Sequence, residues 1–167
     1  PAPPPRPAFP AGQRLLLGAA PPPPTLDGAW GEAVRDGLGW WWQEGWGAWT
    51  RDGIATLALP LEAPQGTKLR VVLELRGPPG GLALKLRSRG ATTDPWRALS
   101  LGPDQRVTVA LDGVAGPAGI AVDLDSGDGV ALGDRGKRQV GVGVVAVMAC
   151  RQDDLPARLS ALEREAA

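Results

Sequence analysis

Apolar and polar residues alternate along five stretches of the chain, and this pattern predicts β-strands. Residues 69–75 show it most clearly, because Leu or Val at positions 69, 71, 73 and 75 alternates with Arg70, Val72 and Glu74. A period of two places the first set on one face of a strand and the second set on the other. The same alternation predicts strands at residues 54–61, 82–86, 107–111 and 120–124.

Glycine- and proline-rich turns separate these stretches, and no helical pattern lies between them. Strands connected in this way form antiparallel sheets that pack face to face. Residues 140–150 are more uniformly apolar and predict a central strand that is covered on both faces. The predicted fold class is therefore all-β: an antiparallel, jelly-roll-like β-sandwich of about eight strands.

The two ends of the chain differ from its middle. Ten of the first 24 residues are proline, which favours a stiff polyproline-II path, and residues 13–17 within this region predict a short strand at the domain edge. Near the other end, Leu155, Leu159 and Leu162 form one stripe of a predicted helix, which leans on the sandwich or continues into a following domain. We thus expect a proline-rich leader (1–25), a β-sandwich domain (26–151) and a short C-terminal helix (152–167).

The composition excludes several classes of function. Lys plus Arg and Asp plus Glu both number 18, there is no histidine, and Cys150 is the single cysteine. Without a basic stripe nucleic acid is not favoured as a partner, and no apolar run is long enough for a membrane span. The absence of histidine removes Ser-His and Cys-His catalysis. We predict a non-enzymatic domain without a cofactor, and the sequence leaves its compartment open.

Four aspartates lie close together in the sequence, at positions 123, 125, 128 and 134. Asp-x-Asp resembles the opening of a calcium-binding loop, but such a loop has glycine at its sixth position, where this chain has Asp128. Asp123 also belongs to an alternating strand. Solvated turn carboxylates explain the group better, and we predict no metal site.

Five of the seven tryptophans lie between residues 40 and 49. Indole rings pack on the apolar C–H faces of sugars, and nearby acidic and basic side chains bind hydroxyl groups. The core of a sandwich with one Phe and no Tyr also needs large apolar side chains, and Trp40 and Trp42 alternate as core residues would. About half of the indoles are expected to be buried. The candidate carbohydrate-binding residues are Trp41, Glu44, Trp46, Trp49, Arg51 and Trp96.

Trp96 is separate from the other candidates, in a loop after Thr92-Thr93-Asp94-Pro95. Two interpretations remain open for it: a second sugar contact, or a side chain that covers one end of the sandwich. Among the five clustered indoles, Trp41, Trp46 and Trp49 are the expected members of an exposed platform.

The order Gly39-Trp40, Glu44, Gly47 and Trp49-Thr50, followed by the alternating strands, resembles the β-sandwich modules appended to bacterial glycosyltransferases and other polysaccharide-synthesis proteins. The likeness covers roughly residues 38–165 and includes Asp134-Arg135, Arg138 to Val142, Met148 to Arg151 and Asp153 to Leu159. The chain departs from the pattern at Gln139-Val140 and in its additional Trp41 and Trp42. The resemblance implies accessory glycan binding rather than transfer chemistry, with Glu44 and Trp49 either ligands or structural residues.

Two functions follow from these observations. The first is a non-catalytic, carbohydrate-associated accessory module of a larger bacterial protein, with a polysaccharide or glycan as its partner. The second is a protein–protein or scaffolding sandwich, in which the tryptophan cluster is core and interface and the partners are other domains or subunits of a parent assembly. Exposed indoles on a concave face favour the first, and a flat apolar patch ringed by arginine favours the second.

Overall fold

The computed structural model describes residues 8–18, 30–31, 33–133 and 138–166. Within these residues the chain is an all-β sandwich followed by a C-terminal helix, which confirms the predicted fold class. The strands are β1 (Leu15–Leu16), β2 (Arg35–Asp36), β3 (Trp40–Gln43), β4 (Ala48–Thr50), β5 (Ile54–Leu59), β6 (Lys68–Arg76), β7 (Leu82–Arg89), β8 (Arg97–Leu101), β9 (Arg106–Val114), β10 (Ile120–Asp125), β11 (Val130–Leu132), β12 (Arg138–Val140) and β13 (Gly143–Arg151), and the helix is α1 (Leu155–Ala166).

Two antiparallel sheets form the sandwich. The first sheet has the order β3-β4-β13-β6-β9, with β1 also paired to β13, and the second has the order β2-β5-β10-β7-β8. From β4 to β7 each strand lies in the sheet opposite the one before it, as in a jelly roll. The short strands β11 and β12 form a separate two-stranded ribbon.

The alternation in the sequence fixes which side chains enter the core. Four side chains of β6 are fully buried and belong to one apolar cluster with residues of the second sheet: Leu69, Val71, Leu73 and Leu75. Their neighbours on the same strand point to the outer face of the first sheet. Each fully buried leucine contributes about 1.5–3 kcal/mol to stability, so this inner face is the main stabilising element.

The predicted central strand is β13, which begins at Gly143 and is buried from there to Cys150. It pairs with β6 along one edge, and its core-facing and outward residues are both covered. The outward residues Met148 and Cys150 lie under α1, which contacts them through Ala157 and Ala161.

The helix therefore packs through the opposite side from the one expected. Leu155, Leu159 and Leu162 are 62 %, 60 % and 54 % exposed, so the prediction that this stripe leans on the sandwich is wrong. The small alanines allow the helix to lie close to the strands, whereas leucine at the same positions would hold it away. The apolar stripe faces solvent.

Residues 8–18 of the expected leader pack on the domain. Phe9, Leu15 and Leu17 belong to the core cluster, and β1 pairs with β13 through Leu15–Val147 and Leu16–Ala146. The short strand predicted within residues 13–17 is thus present. The remainder of the expected leader, residues 1–7 and 19–25, lies outside the described residues.

The strands number thirteen within the described residues rather than about eight. The additional ones are two to five residues long, among them β2, β3, β8, β11 and β12, and most are too short for an alternating pattern to stand out. In the described part of the chain, no helix has the length and apolar character needed to cross a membrane.

Candidate functional site

A β-bulge in the edge strand β3 determines where the first tryptophans point. Trp40 pairs with Thr50 and Gln43 pairs with Ala48, so that Trp41 and Trp42 together face the single residue between those partners on β4. The extra residue breaks the period of two. Trp40 faces the core at 9 % exposure, and its Nε1 donates to the carbonyl of Thr56 at 3.0 Å.

Trp42 does not return to the core, and the expectation that it alternates with Trp40 as a core residue is wrong. Its side chain is 60 % exposed. Trp41 is half-buried and contacts Trp42 edge to face, with 5.6 Å between ring centroids and 78° between ring planes. The Nε1 of Trp41 donates to the carbonyl of Gln139 on β12 at 2.8 Å, which fixes the ring.

Three arginines surround these two indoles. The Cζ of Arg51 lies 4.1 Å from the ring centroid of Trp41, and the Cζ of Arg138 lies 4.5 Å from that of Trp42. The Nη1 of Arg35 donates to the carbonyl of Trp41 at 2.9 Å. We call Trp41, Trp42, Arg51 and Arg138 the Trp41–Trp42 patch.

Glu44 lies in the turn that connects β3 to β4. Its backbone N–H donates to the Gly47 carbonyl at 2.7 Å, which closes the hairpin. Its Oε2 is buried and has no hydrogen-bond partner among the described residues. The structure therefore places Glu44 in the hairpin turn between Trp42 and Trp46, with a carboxylate oxygen that accepts no hydrogen bond from the described residues.

Trp46 and Trp49 form a second cluster, on the outer face of the first sheet. Their ring centroids are 4.8 Å apart, and both rings pack directly over Gly143 of β13. The guanidinium of Arg76 covers them at 4.5 and 5.1 Å. Trp49 is only 3 % exposed, so the expectation that it belongs to an exposed platform is wrong, and Trp46 is half-buried.

Trp96 lies on the second sheet, in a row of outward side chains that crosses its strands. Asp36 pairs with Thr56, Thr56 with Asp123, and Asp123 with Arg87. Trp96 comes directly before β8, and the Cζ of Arg87 lies 4.1 Å from its ring centroid. Its indole is 36 % exposed. Beside this row, a cleft of about 250 Å³ is lined by Leu86, Arg87, Ser88, Asp94, Pro95, Arg97, Ala110, Leu111 and Asp112.

Asp123 is the buried centre of that row, at 2 % exposure. It accepts hydrogen bonds from Thr56 Oγ1 and Arg87 Nε at 2.9 Å, and from Arg89 Nε and Nη2 at 3.1 Å. Burial acts to raise the pKa of Asp123, but the bonds from Arg89, Arg87 and Thr56 outweigh it and hold the pKa below its usual value. The hydrogen bonds between Arg89 and Asp123 also raise the pKa of Arg89. This network keeps Arg87 under Trp96.

The structure thus distributes the six candidate residues over four places, of which the β3–β4 turn holds Glu44. Trp41 and Arg51 meet in the Trp41–Trp42 patch, Trp46 and Trp49 form a packed cluster, and Trp96 lies on the other sheet. Sequence reasoning missed Trp42 as an exposed indole, because a bulge leaves no mark in an apolar run, and it missed Arg138 as the half-buried cation beside it. It also missed the row through Asp123, whose members occupy outward positions of predicted strands but whose pairing depends on register.

The clustered aspartates that the structure describes do not form a metal-binding group. In the described residues, which include Asp123, Asp125 and Asp128, no three His, Cys, Asp or Glu side chains form a group able to hold a metal. Asp123 is bound to arginines, and Asp125 Oδ1 accepts from the N–H of Gly127 at 2.9 Å, as a turn carboxylate does. Asp134 lies outside the described residues.

Comparison with protein-family models and with curated proteins finds no match. Among solved structures, two mutants of a family 29 carbohydrate binding module are similar to this chain at 15 % sequence identity. One match covers 81 % of this chain and 91 % of the module with a TM-score of 0.41. The other covers 91 % and 97 % with a TM-score of 0.43. Both neighbours are β-sandwich modules.

Proposed function

We propose that this chain is a non-catalytic carbohydrate-binding domain whose glycan lies on the Trp41–Trp42 patch. The observation that carries the proposal is the 60 % exposure of Trp42, on an edge strand and beside a second indole. Most large apolar side chains of this domain are buried. An indole left in water, with cations and hydrogen-bond donors beside it, is a surface that fits a sugar ring.

The physical reason lies in how sugars are hydrated. Hydroxyl groups exchange water for protein with little net gain, so affinity comes mostly from C–H surface laid on an indole. Trp42 offers that surface, while Arg51, which lies on the neighbouring Trp41, supplies hydrogen-bond donors. Trp46 and Trp49 contribute less, since they pack on Gly143 and under Arg76.

We also propose that the domain is an accessory part of a larger protein. An accessory position in a larger bacterial polysaccharide-synthesis or glycosyltransferase protein is supported by the order of residues from Gly39 to Thr50 and from Arg138 to Leu159. A polysaccharide made or handled by the parent protein is the partner that this role implies.

The test compares two exposed indoles of the same chain. Trp42→Ala is the variant and Trp96→Ala is its matched control, and both are titrated with neutral and acidic oligosaccharides while tryptophan fluorescence is recorded. A single site of this kind binds with a dissociation constant on the order of micromolar to millimolar. We expect Trp42→Ala to weaken binding about tenfold, or ~1.4 kcal/mol, with an unchanged melting temperature.

Two results would contradict the proposal. If no oligosaccharide binds at about millimolar concentration, the domain is not a glycan-binding module. If Trp96→Ala weakens binding and Trp42→Ala does not, the glycan lies on the second sheet instead of the patch.

A second candidate function is self-association through α1, which the exposed leucine stripe favours. Leu155, Leu159 and Leu162 are spaced by four and then three residues, as in the seam of a coiled coil. Their side chains are 54–62 % exposed, and a chain with no net charge does not repel a second copy. Sedimentation of the wild-type chain and of Leu159→Ser at high concentration distinguishes the cases. A wild-type dimer that Leu159→Ser dissociates supports this function, and a wild-type monomer excludes it.

A further inference from the structure

Among the described residues, no acidic side chain forms an ion pair with the arginines of the Trp41–Trp42 patch. Five other arginines form ion pairs: Arg14–Glu74, Arg70–Asp112, Arg76–Asp104, Arg87–Asp123 and Arg89–Asp123. Within the described residues, neither Arg51 nor Arg138 forms one. Asp52, the residue next to Arg51, is not paired with either guanidinium. In the described part of the chain, two cations on the indoles thus have no acidic partner.

Arg51 is exposed and Arg138 is half-buried. A guanidinium stacked on an indole uses its flat face, whereas its N–H groups point outward in the plane. The Cζ atoms of both arginines lie 4.1–4.5 Å from a ring centroid, which is a stacking distance. Arg138 Nη1 is buried and has no hydrogen-bond partner among the described residues. Because this atom is covered, a ligand acceptor would meet Arg138 at its other N–H groups.

We infer that the saccharide bound by the Trp41–Trp42 patch is anionic, carrying a carboxylate or sulfate group that Arg51 and Arg138 bind while a sugar ring stacks on Trp42. This inference rests on the proposed function. Planar carboxylates match the fork of a guanidinium, and charge-assisted bonds are about twice as strong as neutral ones. A neutral sugar would leave both cations without a counter-charge.

The experiment uses matched pairs of oligosaccharides that differ only in charge. Oligogalacturonate is compared with its methyl ester, and a sulfated carrageenan oligosaccharide with its desulfated form, by calorimetry on the full chain. At least one acidic member is expected to bind about tenfold more tightly than its neutral counterpart. This advantage should shrink between ~0.01 M and ~0.15 M salt, because screening weakens exposed charge pairs. The pair that shows the difference identifies the acidic group.

Variants locate the charges. Arg51→Gln and the double variant with Arg138→Gln should reduce the preference for the acidic member towards unity. Arg106→Gln is the matched control, since Arg106 is exposed on β9, at the opposite edge of the first sheet from β3, and should leave the preference unchanged. Arg51 is exposed, so its single variant gives a result even where the double variant is unstable.

The failures of the two proposals are distinguishable. If each neutral oligosaccharide binds as tightly as its acidic counterpart, the anionic inference is overturned while glycan binding stands. If Arg106→Gln lowers the preference as much as Arg51→Gln, the effect is one of net charge and the inference is also overturned. If no member of either pair binds and Trp42→Ala changes nothing, both proposals fail.

Discussion

Replacing Asp123 by Asn removes the charge at the centre of the second sheet while keeping the size of the side chain. The carboxylate accepts four hydrogen bonds from Thr56, Arg87 and Arg89 at 2.9–3.1 Å and is almost fully buried. Breaking a buried ion pair costs about 3–5 kcal/mol when the remaining charge stays buried. Here the two arginine side chains are 27 % and 45 % exposed, and water reaches them in the variant. We expect a loss of about 2–3 kcal/mol.

The assay is urea unfolding followed by tryptophan fluorescence, together with thermal unfolding. For a chain of this size the expected loss corresponds to a melting temperature roughly 4–12 °C lower. Asp112→Asn is the matched control, because its partner is also an arginine, at 2.9 Å, but its side chain is 53 % exposed. An exposed pair of this kind contributes about 0–1 kcal/mol.

The pH dependence provides a second readout. Because the pKa of Asp123 is lowered on folding, its ionised form stabilises the fold above its unfolded pKa of about 3.8, and this stability is lost as pH falls through the folded value. The difference between wild type and Asp123→Asn should therefore be full near neutral pH and narrow in acid below that point. Equal losses for Asp123→Asn and Asp112→Asn, or a difference independent of pH, would refute the reasoning.

Three further predictions concern packing. Gly143→Ala should cost about 1–3 kcal/mol, because its Cβ would lie 2.7 Å from the indole above it, whereas Gly45→Ala, with open space around it, should cost nothing measurable in urea unfolding. Cys150 is fully buried and burial raises the pKa of its thiol, so Ellman's reagent should modify it only in denaturant; rapid reaction of the native chain would contradict this. Ala161→Asp should lower the free energy of unfolding by more than about 2 kcal/mol in the same assay, because Ala161 is buried against the sheet. Leu159→Ser should lower it by less than ~0.5 kcal/mol, because Leu159 is exposed. The reverse order would mean that α1 packs through its leucines.

The sequence was sufficient for the elements whose pattern extends over many residues. The strands at 68–76, 82–89, 106–114 and 120–125 follow from alternation, since one face of each had to be buried. The uniformly apolar stretch that became β13 was equally clear. Antiparallel pairing followed because the connections between strands are too short for a helical crossover.

The candidate site was harder to predict because it depends on single-residue events. The bulge at Trp41 and Trp42 reverses the direction of one indole, and an apolar run of three tryptophans looks the same with or without it. The helix posed a similar difficulty: hydrophobicity favours the leucine stripe as the buried face, yet close packing on β13 selected Ala157 and Ala161. Arg138 reaches Trp42 only because the ribbon of β11 and β12 folds back onto β3, which no local pattern encodes.

The pairing of residues 12–17 with β13 bears on how copies of this chain avoid one another. One edge of β13 is occupied by β6, whereas the other is divided between β4, at Gly143 and Val144, and the N-terminal segment. The N–H groups of Gly12 and Leu17 donate to the carbonyls of Ala149 and Val145 at 2.8 and 2.9 Å. Without that segment, β13 would expose unpaired backbone N–H and C=O groups along one edge. Strands of other chains can pair with such an edge, and this pairing leads to aggregation. This segment thus covers an edge of β13. A chain that begins at residue 26 should form β-rich aggregates, because it loses both this cover and the core side chains of Phe9, Leu15 and Leu17.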